Sequence, residues 1–336
     1  MRVYELSGVG IDHLVQRQRE VPAPGPGEVA VRVAAASVNY RDYALMQGTY
    51  QADMPKPFVP LSDGAGTVVE TGRGVTRFAP GDRVVGHYTT GWLDGPFSSA
   101  NHATKLGGPL DGWLAETVVL PEQALLPVPG YLTLEEAATL PVSALTAWTA
   151  LDGAEGLNGQ RVLIEGTGSV SLAALQIARA AGAETVVLSG KTAHHADLRR
   201  LGADHVLDYR GRDDLPAVVR ELTAGHGIDR AVEVVGGDGL LQTLAMMADG
   251  GIVSVVGFLQ GFAVDGNLIG PMIARQLSLR GVSVGSRAQF EALLAFMEQR
   301  RIHPVVGARY AFDDAPRAIR DLGERRGYGK PVIAMT

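Results

Sequence analysis

The order of apolar and polar positions divides the chain into a strand-rich first part and an alternating middle part. Up to about residue 122, short apolar runs at 28–38, 64–70 and 82–86 are bounded by glycine or proline, which predicts strands joined by turns. Prolines spaced through this part argue against long helices. The first part is therefore predicted to be a β-rich domain, with a long surface lobe over 89–112.

From residue 160 onward, apolar runs of strand length alternate with helical patterns. Strands are predicted at 160–165, 184–189, 205–208, 230–235, 251–257 and 278–284, and helices at 172–181, 193–201 and 215–223. This alternation predicts a doubly wound, mostly parallel sheet and an α/β fold class. After Gly285, an amphipathic helix over 287–300 is predicted to turn Phe290, Leu293, Leu294 and Met297 inward, and a terminal strand covers 329–333.

Composition narrows the classes of function. The chain has 336 residues, which favours two domains, and its net charge of −6 without basic clusters argues against nucleic-acid and membrane partners. No cysteine is present, which excludes disulfides, thiolate catalysis and cysteine-bound zinc. Neither a signal peptide nor an apolar stretch of membrane-spanning length is evident. We therefore expect a cytoplasmic protein that acts on a small molecule.

A glycine-rich turn follows the predicted strand 160–165 directly and leads into a helix. Its sequence over 166–171 is Gly-Thr-Gly-Ser-Val-Ser. In a dinucleotide site, Gly166 permits the tight turn, Gly168 lets the backbone approach the pyrophosphate, and the helix N-terminus offers free N–H groups. Ser171 replaces the third glycine and is small enough for that position. The alternative is an ordinary turn between strand and helix that binds no ligand.

The residues after the second strand of this unit bear on the choice of cofactor. An enzyme specific for NAD usually has a carboxylate there to bind the ribose 2′-hydroxyl. This chain has Ser189, Gly190, Lys191 and Thr192 instead. A hydroxyl and a positive charge suit a 2′-phosphate, so we expect NADP(H). The alternative is that Lys191 is a solvated loop lysine.

Together with the glycine turn and the residues after the second strand, further segments make the whole chain resemble the zinc-free branch of the medium-chain dehydrogenase/reductase family. Within that branch, the resemblance is closest to quinone oxidoreductases and alcohol-dehydrogenase-like reductases. The segments that carry the resemblance are 39–42 (NYRD), 60–66 (PLSDGAG), 81–84 (GDRV), 137–141 (AATLP), 201–204 (LGAD), 284–287 (VGSR) and 329–330 (GK). The resemblance implies a GroES-like catalytic domain from 1–143 and 286–336, a Rossmann cofactor-binding domain over 144–285, and a homodimer.

The resemblance also indicates what is missing. Zinc-bearing relatives have cysteine at or beside the place of Asn39, His-Glu at the place of Ser62 and Asp63, and another ligand near Val142. None of these residues forms a soft or imidazole zinc site, so we expect no metal. Without a Lewis acid, reduction of a quinone or a conjugated alkene is favoured. A zinc-independent alcohol or carbonyl dehydrogenase and a non-catalytic NADPH-binding protein are the alternatives.

The resemblance also implies roles for single residues. Tyr50 is the candidate proton donor or oxyanion partner, and a packing tyrosine is its alternative. Asn39 resembles a residue that faces nicotinamide and substrate, with a turn asparagine as its alternative. Asp42 is expected to order its loop. The residues expected to bind the cofactor are Thr146, Gly166, Thr167, Gly168, Ser169, Val170, Ser189, Gly190, Lys191, Tyr209, Val235, Gly257, Phe258, Leu259 and Lys330.

Two further enzyme classes compete for this sequence. The run 281–285 matches the G-x-S-x-G of a hydrolase, but His303, the histidine after Ser283, precedes every aspartate that follows, which is the wrong order for a triad. Glu291 and Glu298 precede His303, but both lie on the helix predicted over 287–300. They are too close to His303 along the chain to supply the acid of a triad. A short-chain dehydrogenase needs Tyr-x-x-x-Lys, and no tyrosine has lysine four positions later. Both classes are therefore disfavoured.

Overall fold

The computed structural model describes residues 1–51, 54–325 and 327–335, and the chain forms two compact units. The first unit comprises Met1–Leu145 and Gly285–Thr336, and the second comprises Thr146–Val284. No helix among the described residues is long and apolar enough to cross a membrane.

The first part of the first unit is built mainly of antiparallel strands. Its strands and helices are β1 (Arg2–Leu6), β2 (Leu14–Gln18), β3 (Glu28–Ser37), α1 (Tyr40–Met46), β4 (Asp63–Thr71), β5 (Arg83–Gly86), β6 (Thr117–Pro121), β7 (Leu125–Pro127) and α2 (Leu134–Ala137). A π-helical turn follows at Leu140–Ala144, and short 3-10 turns lie at Ile11–His13, Ser99–Thr104 and Glu122–Ala124. β1 and β2 form a hairpin, while β3 pairs with both β4 and β6.

The second unit alternates strands and helices as the sequence predicts. Its elements are α3 (Leu145–Ala150), β8 (Arg161–Glu165), α4 (Ser169–Ala180), β9 (Glu184–Leu188), α5 (His195–Arg200), β10 (His205–Leu207), α6 (Leu215–Leu222), β11 (Ile228–Glu233), α7 (Gly239–Met246), β12 (Met247–Val255), α8 (Ile269–Arg275) and β13 (Ser278–Gly281). The strands form one parallel sheet in the order β10-β9-β8-β11-β12-β13. The predicted Rossmann-type architecture is confirmed.

The chain then returns to the first unit through α9 (Arg287–Arg300), β14 (Val306–Ala311), α10 (Ala315–Gly323) and β15 (Lys330–Ala334). β15 pairs antiparallel with β3, which closes the larger sheet in the order β14-β15-β3-β4-β5-β7. α9 has the predicted bounds, and its four inward residues are all buried. A capping box between Ser286 and Gln289 begins this helix.

Some expectations for the elements are wrong. α1 was not predicted, because seven residues give too short a periodic pattern and a local capping box between Asn39 and Asp42 begins the helix. β12 begins at Met247 rather than at 251, since a register shift lets the strand pair with β11 earlier. β13 ends at Gly281 rather than at 284, because its partner strand β12 ends at Val255, which is paired with Gly281.

The segment 89–112 is only partly the surface lobe that was expected. Its middle, including Phe97, is exposed, but both ends are buried against the core of the first unit. Trp92 and the flanking Tyr88 and Trp113 are at most 7% exposed. These three aromatic side chains therefore contribute to the packing of the first unit.

Candidate functional site

The carboxyl ends of the parallel strands carry most of the predicted cofactor residues. In the sheet, β9 and then β10 lie on one side of β8, and β11, β12 and β13 follow on its other side. β8 and β11 are therefore the neighbours at which the strand order reverses. In doubly wound sheets, ligands bind beside the carboxyl ends at this switch point.

The glycine turn follows β8 at this point. Gly166 has a φ of +78°, a conformation that favours glycine. Gly168 is the N-cap of α4, and a Cβ atom placed on it would meet nothing within 4 Å. The turn therefore leaves open space in front of the first N–H groups of α4, beside Ser169 and Val170. Thr167, between the two glycines, is 8% exposed.

Ser171 fills the position of the third glycine without leaving its hydroxyl unpaired. Its Oγ donates a hydrogen bond of 2.6 Å to the carbonyl oxygen of Glu165, and the side chain is buried. A side chain this small allows α4 to pack closely on β8. The departure from three glycines is thus accommodated within the turn.

The end of β9 presents a small polar and basic group. Ser189 is buried, and its Oγ accepts a hydrogen bond of 3.2 Å from the backbone N–H of Lys191. The ring Nε2 of His195 lies 2.8 Å from the carbonyl oxygen of Ser189. Lys191 itself is exposed at the edge of the sheet.

Arg210 joins this group and was missed by the sequence analysis. A Cβ atom on Gly190 would lie 2.9 Å from Cδ of Arg210, so the arginine side chain crosses directly over that glycine. Its guanidinium binds both carboxylate oxygens of Asp208, and these hydrogen bonds lower the pKa of Asp208 to about 2. The available signal was its position directly after Tyr209, which is half-exposed in the turn after β10.

The loops after β11 and β12 contact each other. The N–H of Gln260 donates to the carbonyl oxygen of Val235 at 2.7 Å, and the N–H of Gly237 donates to that of Gly261 at 3.1 Å. The ring of Phe258 stacks on Phe262 with centroids 4.5 Å apart. Val235, Gly257, Phe258 and Leu259 are thus brought together, whereas Thr146 is buried on α3.

Two buried carboxyl groups lie beneath this edge. Glu165 is the last residue of β8 and Glu233 is the last residue of β11, and these strands are paired. They are 4% and 0% exposed. Burial, and then the neighbouring charge of Glu233, raises the pKa of Glu165 to about 8, and burial also raises the pKa of Glu233. The predictions did not include either residue.

In the first unit, Asn39 lies in a buried polar cluster. Its Nδ2 donates to Oδ2 of Asp63 at 2.8 Å, and Ser143 donates to its Oδ1 at 3.3 Å. The ammonium group of Lys330 donates to Oδ1 of Asn39, to Asp63 at 3.3 Å and to Ser143 at 2.6 Å. Lys330, predicted to bind cofactor, is therefore placed by the structure in this cluster, 1% exposed.

Asp42 orders the start of α1, as expected. Its Oδ2 accepts the N–H of Asn39 at 2.9 Å, and its Oδ1 accepts the hydroxyl of Ser62 at 2.6 Å. The guanidinium of Arg41 also donates to Ser62, at 2.7 Å. Ser62 is thus engaged with Asp42 and Arg41, while its neighbour Asp63 faces Lys330.

The residues at the zinc positions of the relatives do not suit zinc. Asn39 offers an amide and Asp63 a carboxylate, but the Lys330 ammonium group already lies between them as a cation. Across the described residues, no group of three or more His, Asp or Glu side chains converges in a way that could hold a metal ion. The donor set of this cluster therefore disagrees with a zinc site.

Tyr50 is partly exposed in the turn that follows α1. The pKa of Tyr88 is raised, mainly by burial. The phenol of Tyr50 lies near enough to raise it further by an electrostatic effect. The cation of Arg41 stacks over the Tyr88 ring at 4.9 Å. Tyr50 thus lies beside an aromatic and basic group in the first unit.

Comparison with known proteins identifies relatives along nearly the full chain. A model of the alcohol dehydrogenase GroES-like domain matches residues 25–130, and a model of zinc-binding dehydrogenase matches residues 169–299. A zinc-type alcohol dehydrogenase-like protein of Schizosaccharomyces pombe is 38% identical over 96% of both chains. The quinone oxidoreductase of Rattus norvegicus is 28% identical over 100% of this chain and 97% of its own. A crystal structure described as an NAD-dependent alcohol dehydrogenase is 34% identical, has a TM-score of 0.90, and matches over 100% of both chains.

Proposed function

Because the chain belongs to the medium-chain dehydrogenase/reductase family and is an oxidoreductase of that family, we propose that it is an NADPH-dependent reductase. Its proposed substrate is a quinone or a conjugated alkene such as an enone, and its proposed chemistry needs no metal. The similarity to the rat quinone oxidoreductase supports the substrate class.

The observation that carries the choice of NADPH is the basic edge at the end of β9. Lys191 is exposed there, Arg210 crosses Gly190, and no carboxylate is available at 189–192 to bind a ribose 2′-hydroxyl. Two cations with the hydroxyl of Ser189 fit the charge and hydrogen-bonding capacity of a 2′-phosphate. Arg210 can pass from Asp208 to a phosphate at small cost, because the arginine is exposed, the aspartate is partly exposed, and water therefore screens their ion pair.

The bound cofactor supplies the hydride in this family of reactions. The open space at Gly168 and the N–H groups at the start of α4 fit the pyrophosphate. Tyr50 is the proposed proton donor to the enolate or hydroquinone oxygen that forms. Asn39 is the proposed second polar group, and the amide is held in one orientation by Asp63 and Lys330.

The second candidate is an alcohol or carbonyl dehydrogenase of the same family that also works without zinc. The names of the Schizosaccharomyces pombe relative and of the structurally similar NAD-dependent enzyme favour an alcohol dehydrogenase, but neither name indicates activity without zinc. Against it, the buried Asn39–Asp63–Lys330 cluster provides no Lewis acid to polarise an alcohol oxygen. The third candidate is a non-catalytic NADPH-binding protein. It would use the same proposed cofactor site in the second unit and would catalyse no reaction.

Calorimetric titration with NADPH and with NADH tests the cofactor. We expect NADPH to bind at least about tenfold more tightly. We expect Lys191→Ala to weaken NADPH binding about tenfold with little effect on NADH, because the 2′-phosphate is the part of the cofactor that the lysine is proposed to bind. Arg199→Ala is the matched control, since Arg199 is an exposed cation on α5 of the same unit. Tighter binding of NADH by the unaltered chain would contradict the proposal.

A further inference from the structure

We propose that Glu165 and Glu233 share a single proton and that this protonated pair is a latch, which holds the turn after β8 and the loop after β11 in the arrangement that binds the cofactor. The two glutamates are positioning residues that act through the backbone and do not contact substrate. This inference rests on the proposed cofactor site in the second unit.

The positions of the two carboxyl groups make the pair. β8 and β11 are adjacent and parallel, with Ile164 paired to Val232, so the next residues, Glu165 and Glu233, end the two strands side by side. This is the point at which the strand order reverses. Gly166 follows Glu165 directly, so any movement of the carboxyl pair is passed to the glycine turn.

The hydrogen bonds of Glu165 join it to two other elements. Its Oε1 accepts the hydroxyl of Thr243 on α7 at 2.6 Å, and its Oε2 accepts the backbone N–H of Val234 at 3.2 Å. Both of its oxygens therefore already accept a hydrogen bond, and the carboxyl is buried. Glu165 thus ties the end of β8 to the start of the loop after β11.

The hydrogen bonds of Glu233 hold that same loop. Its Oε1 accepts the backbone N–H groups of Val235 at 2.8 Å and Gly236 at 2.7 Å. Its Oε2 is buried and has no hydrogen-bond donor among the described residues. A proton carried by the Glu165 carboxyl supplies the missing donor to this oxygen and removes one of two buried negative charges.

Among the described residues, no cation is one of the groups that shift the pKa of either glutamate, so none takes the place of that proton. The ionisable group that acts most strongly on each glutamate is the other one. The helices packed on the two strands contribute hydroxyls here, from Thr243 on α7 and from Ser171 on α4, which is bonded to the backbone of Glu165. When the proton leaves, two buried carboxylates repel each other, and the strand ends must move apart or admit water.

The test is the dissociation constant for NADPH measured by calorimetry from pH 6.5 to pH 9.5. For the unaltered chain we expect the constant to rise about tenfold across this range, because binding requires the shared proton. Glu165→Gln has no charge and can offer an amide N–H toward Glu233 in place of one of the two acceptor oxygens. Its dissociation constant can therefore start from a different value, but it should not change with pH. Glu155→Gln, an exposed glutamate of the same unit, should follow the unaltered chain.

Either of two results would overturn the latch: a flat profile for the unaltered chain, or an equal rise in Glu165→Gln. Thermal unfolding of the cofactor-free chain over the same pH range separates this from a failure of the proposed function. If no variant binds a nicotinamide cofactor, the proposed function fails. In that case, the shared proton is supported if the unfolding temperature falls with rising pH in the unaltered chain but not in Glu165→Gln. It is rejected if the unfolding temperature depends on pH in the same way in both chains.

Discussion

Lys330 provides the first unit with a buried cation that holds its neighbours in one arrangement. Burial lowers the pKa of Lys330 and raises the pKa of Asp63, against the attraction between the two groups. Three hydrogen bonds from the ammonium group offset part of that cost and fix the Asn39 amide. Lys330 therefore supports the proposed site by orienting Asn39.

Tyr50→Phe removes the proposed proton donor and leaves the ring in place. We expect kcat for enone reduction to fall by about 100-fold, since general acid catalysis contributes at least this much, with NADPH binding unchanged. Tyr310→Phe is the control, because that phenol bonds Asp321 at 2.8 Å in the same unit. Steady-state rates measure both variants, and full activity of Tyr50→Phe would assign Tyr50 to packing.

At the residue scale, the sequence predicts what local order encodes and misses what folding brings together. Lys191 stood out because a carboxylate was missing from its own loop. The partners of Lys330 are 187 to 291 positions away along the chain, so no local pattern could identify them. Glu165 and Glu233 look like ordinary strand ends until β8 and β11 are paired.

Among the elements, the turn between β8 and α4 matters most to the proposed site. Its strand, glycines and helix all follow from local pattern, which explains why the sequence predicts it well. α1 escaped prediction because a capping box rather than periodicity defines it. The sequence did not predict that β12 begins at Met247, because these first residues pair with β11 only through a register shift between the two strands.

Gly168→Val separates the structural and binding roles of this turn. Because its Cβ atom would enter open space, we expect the unfolding temperature to change little. The added side chain would occupy the space proposed for the pyrophosphate, so NADPH should bind at least about tenfold more weakly, a loss of about 1.4 kcal/mol. Calorimetry and thermal unfolding measure the two effects.

Gly130→Val is the matched control, since Gly130 is also open to a Cβ atom but lies in the first unit. It should affect neither quantity. Undiminished NADPH binding by Gly168→Val would show that the pyrophosphate does not approach this glycine.

At the scale of the whole molecule, a buried histidine in the first unit limits stability at acidic pH. His87 is fully buried in the first unit, and burial is the main reason that its pKa is lowered to about 4. A lowered pKa means that the unfolded chain takes up the proton first as the pH falls. The contribution of neutral His87 to the free energy of unfolding is therefore fully present above about pH 6.5, and it is lost as the pH falls toward 4.

His87→Leu should remove this acid sensitivity. We expect the free energy of unfolding to fall by about 3 kcal/mol less between pH 7 and pH 4 than in the unaltered chain. Urea unfolding at both pH values measures the difference. His13→Gln, at an exposed histidine of the same unit, should behave like the unaltered chain, and an equal loss in His87→Leu would exclude His87 as the cause.

The reaction proposed for this protein is the reduction of a quinone or conjugated alkene by NADPH without a metal. The most direct measurement is the oxidation of NADPH, followed by its absorbance, with a panel of quinones, enones and alcohol or aldehyde controls, each run with NADH alongside and with a metal chelator present. We predict turnover of at least one quinone or enone, faster with NADPH than with NADH and unchanged by the chelator. Faster turnover with NADH, loss of activity with the chelator, or tight NADPH binding without any turnover would contradict this account.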